Sequence, residues 1–371
     1  MNHERYMARA LQLASLGIYS TSPNPRVGCV IVKNDKIIGE GWHQKAGEAH
    51  AEVNALAQAG SSAKGATAYV TLEPCSHFGR TPPCAQALIA AGIKTVVGAC
   101  SDPNPQVAGQ GYQALIQAGI EVITPCLENT AQNLNAGFIK RMQTGLPRVQ
   151  IKLAQSLDGR TAMASGESQW ITGSAARQDV QRLRAQSCAI VTGADSVLID
   201  NPSMTVRPKE TGVMLEARLW RQPLRVIIDG QQRLTGKENI FQQAGDILLA
   251  VTNESLVTIQ RSPSLGSFSV WQSPSSENGK VSLHALLIEL GQRGCNNLLV
   301  ETGAQLAGAF IKQGLVQELV VYCAPTLLGS SARPLVSIEL EQMSEQIRGQ
   351  WQDIRMVGDD LRLTLSLKAN A

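Results

Sequence analysis

The sequence predicts an α/β protein of two domains, a three-layer sandwich around a mixed sheet followed by a mostly parallel, covered sheet. Three observations predict this. The 371 residues are enough for about two domains, each with its own core. Up to residue 145, apolar periodicities read in the order helix, hairpin, helix, strand, helix, strand, helix, strand. Beyond it, short apolar runs alternate with helical patterns, as buried parallel strands do.

The elements follow in order. Tyr6, Met7, Ala10, Leu11, Leu13 and Ala14 recur at helical spacing, which predicts a helix over 3–16, ended by Gly17. Ser22-Pro23-Asn24-Pro25 forbids regular structure before a strand at 27–33. Asn34-Asp35 turns that strand into its return, 36–42. A helix is expected over 48–59, with His50 and Glu52 in its first turn and a half. A β-branched strand at 67–72 is stopped by Pro74. Pro83 opens a helix over 85–91, where its missing N–H costs nothing. A strand at 95–99, a helix at 111–118 and a strand at 121–124 follow. A helix at 135–141 closes the domain, and Gly145-Leu146-Pro147 marks the boundary, giving domains 1–145 and 146–371. In the second domain, strands are expected at 149–154, 189–192, 225–229, 247–251, 298–300 and 319–323. Helices are expected at 174–186, 282–293 and 305–313. Residues 361–367 alternate like an added edge strand, and the Ser-, Pro- and Gly-rich stretch 261–280 reads as a surface excursion.

Composition excludes several classes of function. Net charge is +3, no basic run stands out and aromatics are 4%, so neither a nucleic-acid partner nor a stacking platform is expected. No apolar run approaches the length of a membrane span, and the polar N-terminus does not read as a secretory signal. Eight cysteines, two of them placed as ligands, fit reduced thiols in a cytoplasm.

The chemistry concentrates between His50 and Cys84. His50, Cys75 and Cys84 are an imidazole and two thiols, the donors zinc prefers, and three ligands leave a fourth position for water. Glu52 need not bind metal and is placed to move protons between water and a substrate nitrogen. His-x-Glu followed by Pro-Cys and a second cysteine is the pattern of zinc deaminases, here with eight residues between the cysteines. A structural zinc with His77 as fourth ligand is the competing reading.

Asn24-Pro25-Arg26-Val27-Gly28, His50-Ala51-Glu52, Glu73-Pro74-Cys75-Ser76-His77 and Gly79-Arg80-Thr81-Pro82-Pro83-Cys84 resemble the deaminase domain of the bifunctional riboflavin-biosynthesis deaminase/reductase family. Lys152 through Gly159, Ser168-Gln169-Trp170-Ile171-Thr172, Gly193 through Pro202 and Arg207 resemble its reductase domain. The resemblance implies a cytidine-deaminase-like first domain and a dihydrofolate-reductase-like second domain. It implies hydrolytic deamination, with one zinc per chain, of 2,5-diamino-6-(5-phosphoribosylamino)pyrimidin-4-one at C2. NADPH then reduces the ribosyl chain to ribityl.

Residue by residue, the resemblance places Asn24 on the pyrimidine, while the insert carrying His77 and Arg80 either contacts the base or phosphate or merely covers the metal. It places Ala154, Trp170, Ser196, Asp200 and Gly303 on NADPH. Ser168, Arg184, Met204, Arg207 and Glu301 fall to the substrate. Arg184 and Arg207 offer forked donors suited to a phosphate. Lys152, Asp200 and Glu301 are candidates for polarisation or proton supply in the reductive step. No Gly-x-Gly-x-x-Gly follows a strand, so a Rossmann site is not expected. Leu298 through Gly308, strand, glycine turn and helix, offers backbone N–H groups to a phosphate instead. This chain has Glu301-Thr302-Gly303 where the family usually carries two adjacent glycines.

The partners expected are a pyrimidine ribotide and a second copy of the chain, as homodimer or homotetramer, with no nucleic acid and no membrane. Two other readings remain at this level. One is a nucleoside or tRNA base deaminase with a non-catalytic C-terminal module. The other is a structural zinc joined to a nucleotide sensor.

Overall fold

A computed structural model describes residues 2–76, 83–104, 108–167, 171–274 and 280–367. The chain forms two compact units: residues 1–146 with 216–220, and residues 147–215 with 221–371.

The first unit is a sheet with helices on both faces. Its strands are β1 (Gly28–Lys33), β2 (Lys36–Trp42), β3 (Thr67–Val70), β4 (Thr95–Gly98) and β5 (Glu121–Ile123), in the order β2-β1-β3-β4-β5. β1 runs antiparallel to β2 and β3, whereas β3, β4 and β5 are parallel, so the sheet is mixed. Side-chain alternation builds the two other layers. Cys29, Ile31, Ala68, Val70 and Val96 face α2 (Ala51–Ala59), α3 (Cys84–Ala90) and α4 (Gln110–Gln117). Val30, Val32, Tyr69 and Val97 face α1 (His3–Ser15), α5 (Glu128–Leu134) and α6 (Ala136–Thr144). Gly41 shows how tightly α2 is seated: a Cβ there would lie 2.4 Å from the Ala51 carbonyl oxygen.

The expected helix over 48–59 begins later. His50 is its extended N-cap (φ −75°, ψ 167°), and Glu52 lies in the first turn. Helix α5 was not anticipated, because only Ala131 among its residues is buried and no apolar stripe marks it.

The second unit holds a nine-stranded sheet. In chain order its elements are β6 (Arg148–Ser156), β7 (Arg160–Ala162), α7 (Ser174–Gln186), β8 (Ala189–Gly193), α8 (Ala194–Asp200), β9 (Leu224–Ile228), α9 (Asn239–Gln242) and β10 (Ile247–Val251). They continue with β11 (Phe268–Gln272), α10 (Leu283–Gln292), β12 (Asn297–Glu301), α11 (Ala304–Lys312), β13 (Glu318–Ala324), β14 (Arg333–Pro334), β15 (Gly349–Val357) and β16 (Asp360–Leu367). The sheet runs β11-β10-β9-β8-β12-β6-β13-β16-β15, and β7 pairs separately with β14.

The pairs from β11 across to β13 are parallel, and β16 and β15 are antiparallel additions. Two expectations are corrected. The alternating segment at 361–367 is internal, because β15 pairs on its outer side and is the true edge. The stretch 261–280 is not all surface excursion, because β11 within it extends the sheet beside β10. Among the described residues, no helix is long and apolar enough to cross a membrane.

Candidate active sites

In the first unit, three segments converge. His50 caps α2, Cys75 follows the turn after β3, and Cys84 is the first residue of α3. Their donor atoms all lie within 4.8 Å of one another. His50 Nδ1 is 3.2 Å from Cys84 Sγ and 3.7 Å from Cys75 Sγ. Donors bound at zinc distances in a tetrahedron stand roughly 3.3–3.8 Å apart, so the cluster fits such an ion. The Cys84 backbone N–H donates to Cys75 Sγ over 3.2 Å, which suits a thiolate.

Hydrogen bonding from the Cys84 thiol, then from His50 and the Cys84 amide, holds Cys75 down to about 4. The neighbouring Cys75 and burial push Cys84 upward. A divalent cation held by both sulfurs would favour the thiolate form of each.

Glu52 is 3% exposed, and its Oε2 has no hydrogen-bond partner among the described residues. Burial, reinforced by the Cys75 charge, raises its pKa. A buried carboxylate oxygen left unsatisfied is costly and marks a group kept for chemistry.

Two supporting residues were given no role by the sequence. Glu73, buried, accepts backbone N–H bonds from Asp102 (3.2 Å), Gly109 (3.0 Å), Gly111 (2.9 Å) and Tyr112 (3.4 Å). It thereby fixes the start of α4 against the turn that carries Cys75. His43 is 2% exposed and lies edge-on to the His50 ring, with centroids 5.1 Å apart. Its Nδ1 is 3.1 Å from the Ala49 carbonyl and its Nε2 is 3.0 Å from the Asn24 amide nitrogen. Burial lowers its pKa. Asn24 itself is half-buried. Both contacts arise from tertiary approach, and no spacing in the sequence announces them. His77 and Arg80 lie outside the described residues.

In the second unit, the carboxyl ends of adjacent parallel strands form the crevice where open α/β sheets bind ligands. Glu301 ends β12 and stands opposite Lys152 on β6. Arg184 on α7 grips Glu301 with two bonds, Nε–Oε1 at 2.6 Å and Nη2–Oε2 at 2.9 Å, and donates to the Thr205 carbonyl at 3.2 Å. Met204, held at φ +50°, places its sulfur 3.7 Å from the same guanidinium. Burial lowers the Lys152 pKa, the Glu301 charge opposes that shift, and the Arg184 charge adds to it. Lys152, Arg184, Met204 and Glu301 therefore form one electrostatic cluster.

The Arg184 fork is occupied by a carboxylate, which the sequence did not reveal. Arg207 is exposed and ion-paired with Glu210 at 2.7 Å, and Asp200 is exposed at the last position of α8. Ala154 and Ser196 are half-buried. Ser168 and Trp170 lie outside the described residues.

Two strand-to-helix turns flank this cluster, Gly193 between β8 and α8 and Gly303 between β12 and α11. β8 and β12 are hydrogen-bonded neighbours. Gly303 has ordinary dihedrals (φ −77°), and a Cβ there would meet nothing within 4 Å. The Thr192 hydroxyl, buried beside Gly193, has no partner among the described residues. An open turn at a helix N-terminus fits a phosphate-bearing group. Thr302 Oγ1 would stand 3.7 Å from a Cβ at Gly193, so the residue replacing the family's second glycine lies against the neighbouring turn.

Comparison with known proteins finds a match for each half of the chain. A sequence profile described as the cytidine and deoxycytidylate deaminase zinc-binding region matches residues 1–100, and one described as the RibD C-terminal domain matches residues 147–363. The fold and sites thus define a bifunctional enzyme, a zinc-type deaminase domain followed by a reductase domain. The riboflavin biosynthesis protein RibD of Escherichia coli is 51% identical over 370 residues, covering 98% of this chain and 99% of that protein. Its counterpart in Haemophilus influenzae is 48% identical, covering 98% and 97%. A solved structure of Acinetobacter baumannii RibD superposes with a TM-score of 0.90 at 48% identity, covering 99% of each chain. A Thermotoga maritima structure titled diaminohydroxyphosphoribosylaminopyrimidine deaminase/5-amino-6-(5-phosphoribosylamino)uracil reductase gives 0.86 at 32% identity, again covering 99% of each. The chain belongs to the RibD family of riboflavin biosynthesis proteins, and it is a deaminase and a reductase.

Proposed function

We propose that the first domain removes the 2-amino group of 2,5-diamino-6-(5-phosphoribosylamino)pyrimidin-4-one, and that the second reduces the deaminated ribotide's sugar to a ribityl chain. The observation that carries the first step is the unpartnered, buried Glu52 oxygen beside the His50, Cys75 and Cys84 donors. Those three residues hold one zinc ion per chain, which supplies the acidity that makes water nucleophilic near neutral pH. Asn24 holds the pyrimidine ring. Glu52 accepts a proton from the water attacking C2 and passes it to the ring nitrogen. Its raised pKa suits a group that must both take and give up that proton. Glu52 next takes the second proton from the C2 hydroxyl and gives it to the amino group; the C2–N bond breaks, ammonia leaves and C2 keeps the oxygen as a carbonyl.

In the second domain the Gly193 and Gly303 turns, with Ala154, Trp170, Ser196 and Asp200, hold NADPH, which supplies hydride to C1′ of the ring-opened sugar. Ser168, Met204, Arg207 and the Arg184–Glu301 pair line the substrate, and Lys152 supplies the accompanying proton. Lys152 must be protonated for this, and burial places its pKa below the usual 10.5. Reduction is therefore expected to fall as pH rises through a midpoint below 10.5. A single-turnover pH profile that stays flat to that value contradicts the role.

The open space at Gly303 makes a further expectation specific. Gly303→Val leaves the melting temperature unchanged but weakens NADPH binding by about tenfold or more, measured by fluorescence titration. An unchanged dissociation constant removes this turn from the cofactor site.

The exposed Trp351, Ile354 and Met356 on edge strand β15 support a homodimer or homotetramer, and a cytoplasmic setting suits the free thiols. Light scattering that returns the mass of a single chain contradicts the oligomer. The direct test of function is purified, zinc-loaded protein given the diaminopyrimidine ribotide: ammonia release without NADPH, and NADPH oxidation when it is added. Neither product means that the proposed substrate is wrong.

A further inference from the structure

His43 and Asn24 together carry an inference about how the deaminase domain chooses its substrate. It rests on the proposed contact between Asn24 and the pyrimidine. The Ala49 carbonyl has no freedom of role, because it can only accept. His43 Nδ1 stands 3.1 Å from that oxygen, so Nδ1 carries the ring proton. The Asn24 amide nitrogen faces Nε2 over 3.0 Å and can only donate, so Nε2 accepts on its lone pair. The amide oxygen in its place would face a second lone pair. The Asn24 side chain is thereby fixed with its Oδ1 turned away from His43. An asparagine without such a partner can present either end of its amide to a ligand.

We propose that His43 is a positioning residue that locks Asn24 as a hydrogen-bond acceptor, so that the site selects a pyrimidine edge presenting an N–H donor. A ring N–H or an exocyclic amine satisfies Oδ1, whereas an edge offering only lone pairs leaves it buried and unpaired. His43 touches no reacting atom in this account. Its edge-on packing on the His50 ring makes it part of the wall of the metal cluster as well. The amide orientation is therefore built from a backbone carbonyl, through one imidazole, to the substrate.

The experiment uses the full chain loaded with zinc. Deamination of the diaminopyrimidine ribotide is measured for the wild type, His43→Leu and His43→Gln, with zinc content determined for each. Glutamine offers a carbonyl to the Asn24 amide and an N–H to Ala49, so it can replace both bonds. His43→Leu is expected to raise KM about tenfold with kcat and zinc content little changed, the loss of one net hydrogen bond. His43→Gln should recover most of that loss. Wild-type KM in His43→Leu, or equal damage in both variants, overturns the proposal. If the leucine variant does not fold, the glutamine variant still decides: wild-type KM supports the relay, and a tenfold rise sinks it. Nitrogen-15 NMR of the histidine-labelled wild type separates this idea from the substrate assignment. The Nδ1–H tautomer at His43 is expected whatever the substrate, and an Nε2–H tautomer overturns the relay even if deamination proceeds.

Discussion

Replacing Glu52 by glutamine is expected to reduce deamination by a factor of about 100 to 10,000, the usual contribution of a positioned acid–base group. Zinc content should match that of the wild type, because the donor set His50, Cys75 and Cys84 does not need the carboxylate. Glutamine is close in size to glutamate, so the buried pocket is not emptied. It also removes the cost of burying a group whose ionised form is disfavoured there, so thermal stability should hold or rise. The measurement is ammonia release alongside metal analysis. Retained deamination would mean that another group carries the proton. Loss of zinc in the variant would mean that Glu52 supports the metal instead, as a structural site would require.

The second large effect concerns the reductase. Arg184 and Glu301 are a buried pair joined by two charge-assisted bonds, with side chains 13% and 8% exposed. Glu301→Gln leaves the guanidinium without its counter-charge, and breaking one side of such a pair costs about 3 kcal/mol or more. For a domain of this size that is a fall in Tm of roughly 6–12 °C.

The sign on Lys152 follows as well. Glu301 holds the Lys152 pKa up against burial and Arg184, so removing its charge lets that pKa fall further. The protonated form is then lost at lower pH, and the alkaline limb of reduction moves down in the variant. A pH profile unchanged from wild type would show that Lys152 is not the group titrating, while an unchanged Tm would show that the pair contributes no stability.

How much of this was legible before the structure depends on the kind of signal involved. β2, α7 and β10 were delimited to the residue because a two-residue hairpin turn, a long amphipathic period and an uninterrupted apolar run leave little choice. β15 was not, since Gly349–Val357 carries polar and apolar side chains on an exposed edge and has no buried face to alternate with. β11 was hidden by its Ser- and Pro-rich flanks, and its identity as a strand comes only from pairing with β10.

The metal donors stood out because zinc chemistry restricts residue types and spacing more than packing ever does. The family resemblance added substrate and cofactor classes that no spacing could supply. What the residues alone could not show is who pairs with whom. Arg184 meets Glu301 across 117 positions, and Glu73 is satisfied by amides 29 to 39 positions downstream. His43 acts through a backbone carbonyl, which has no residue type to read.

The central claim is two chemically distinct sites acting in order on one ribotide. It is tested most directly by following NADPH oxidation with the diaminopyrimidine ribotide as the only other substrate. The account predicts oxidation by the wild type, none by Glu52→Ala, and restoration of that variant when the ribotide is supplied already deaminated. Oxidation by Glu52→Ala at the wild-type rate on the unprocessed ribotide would contradict it, because the reductase would then have no need of the zinc domain.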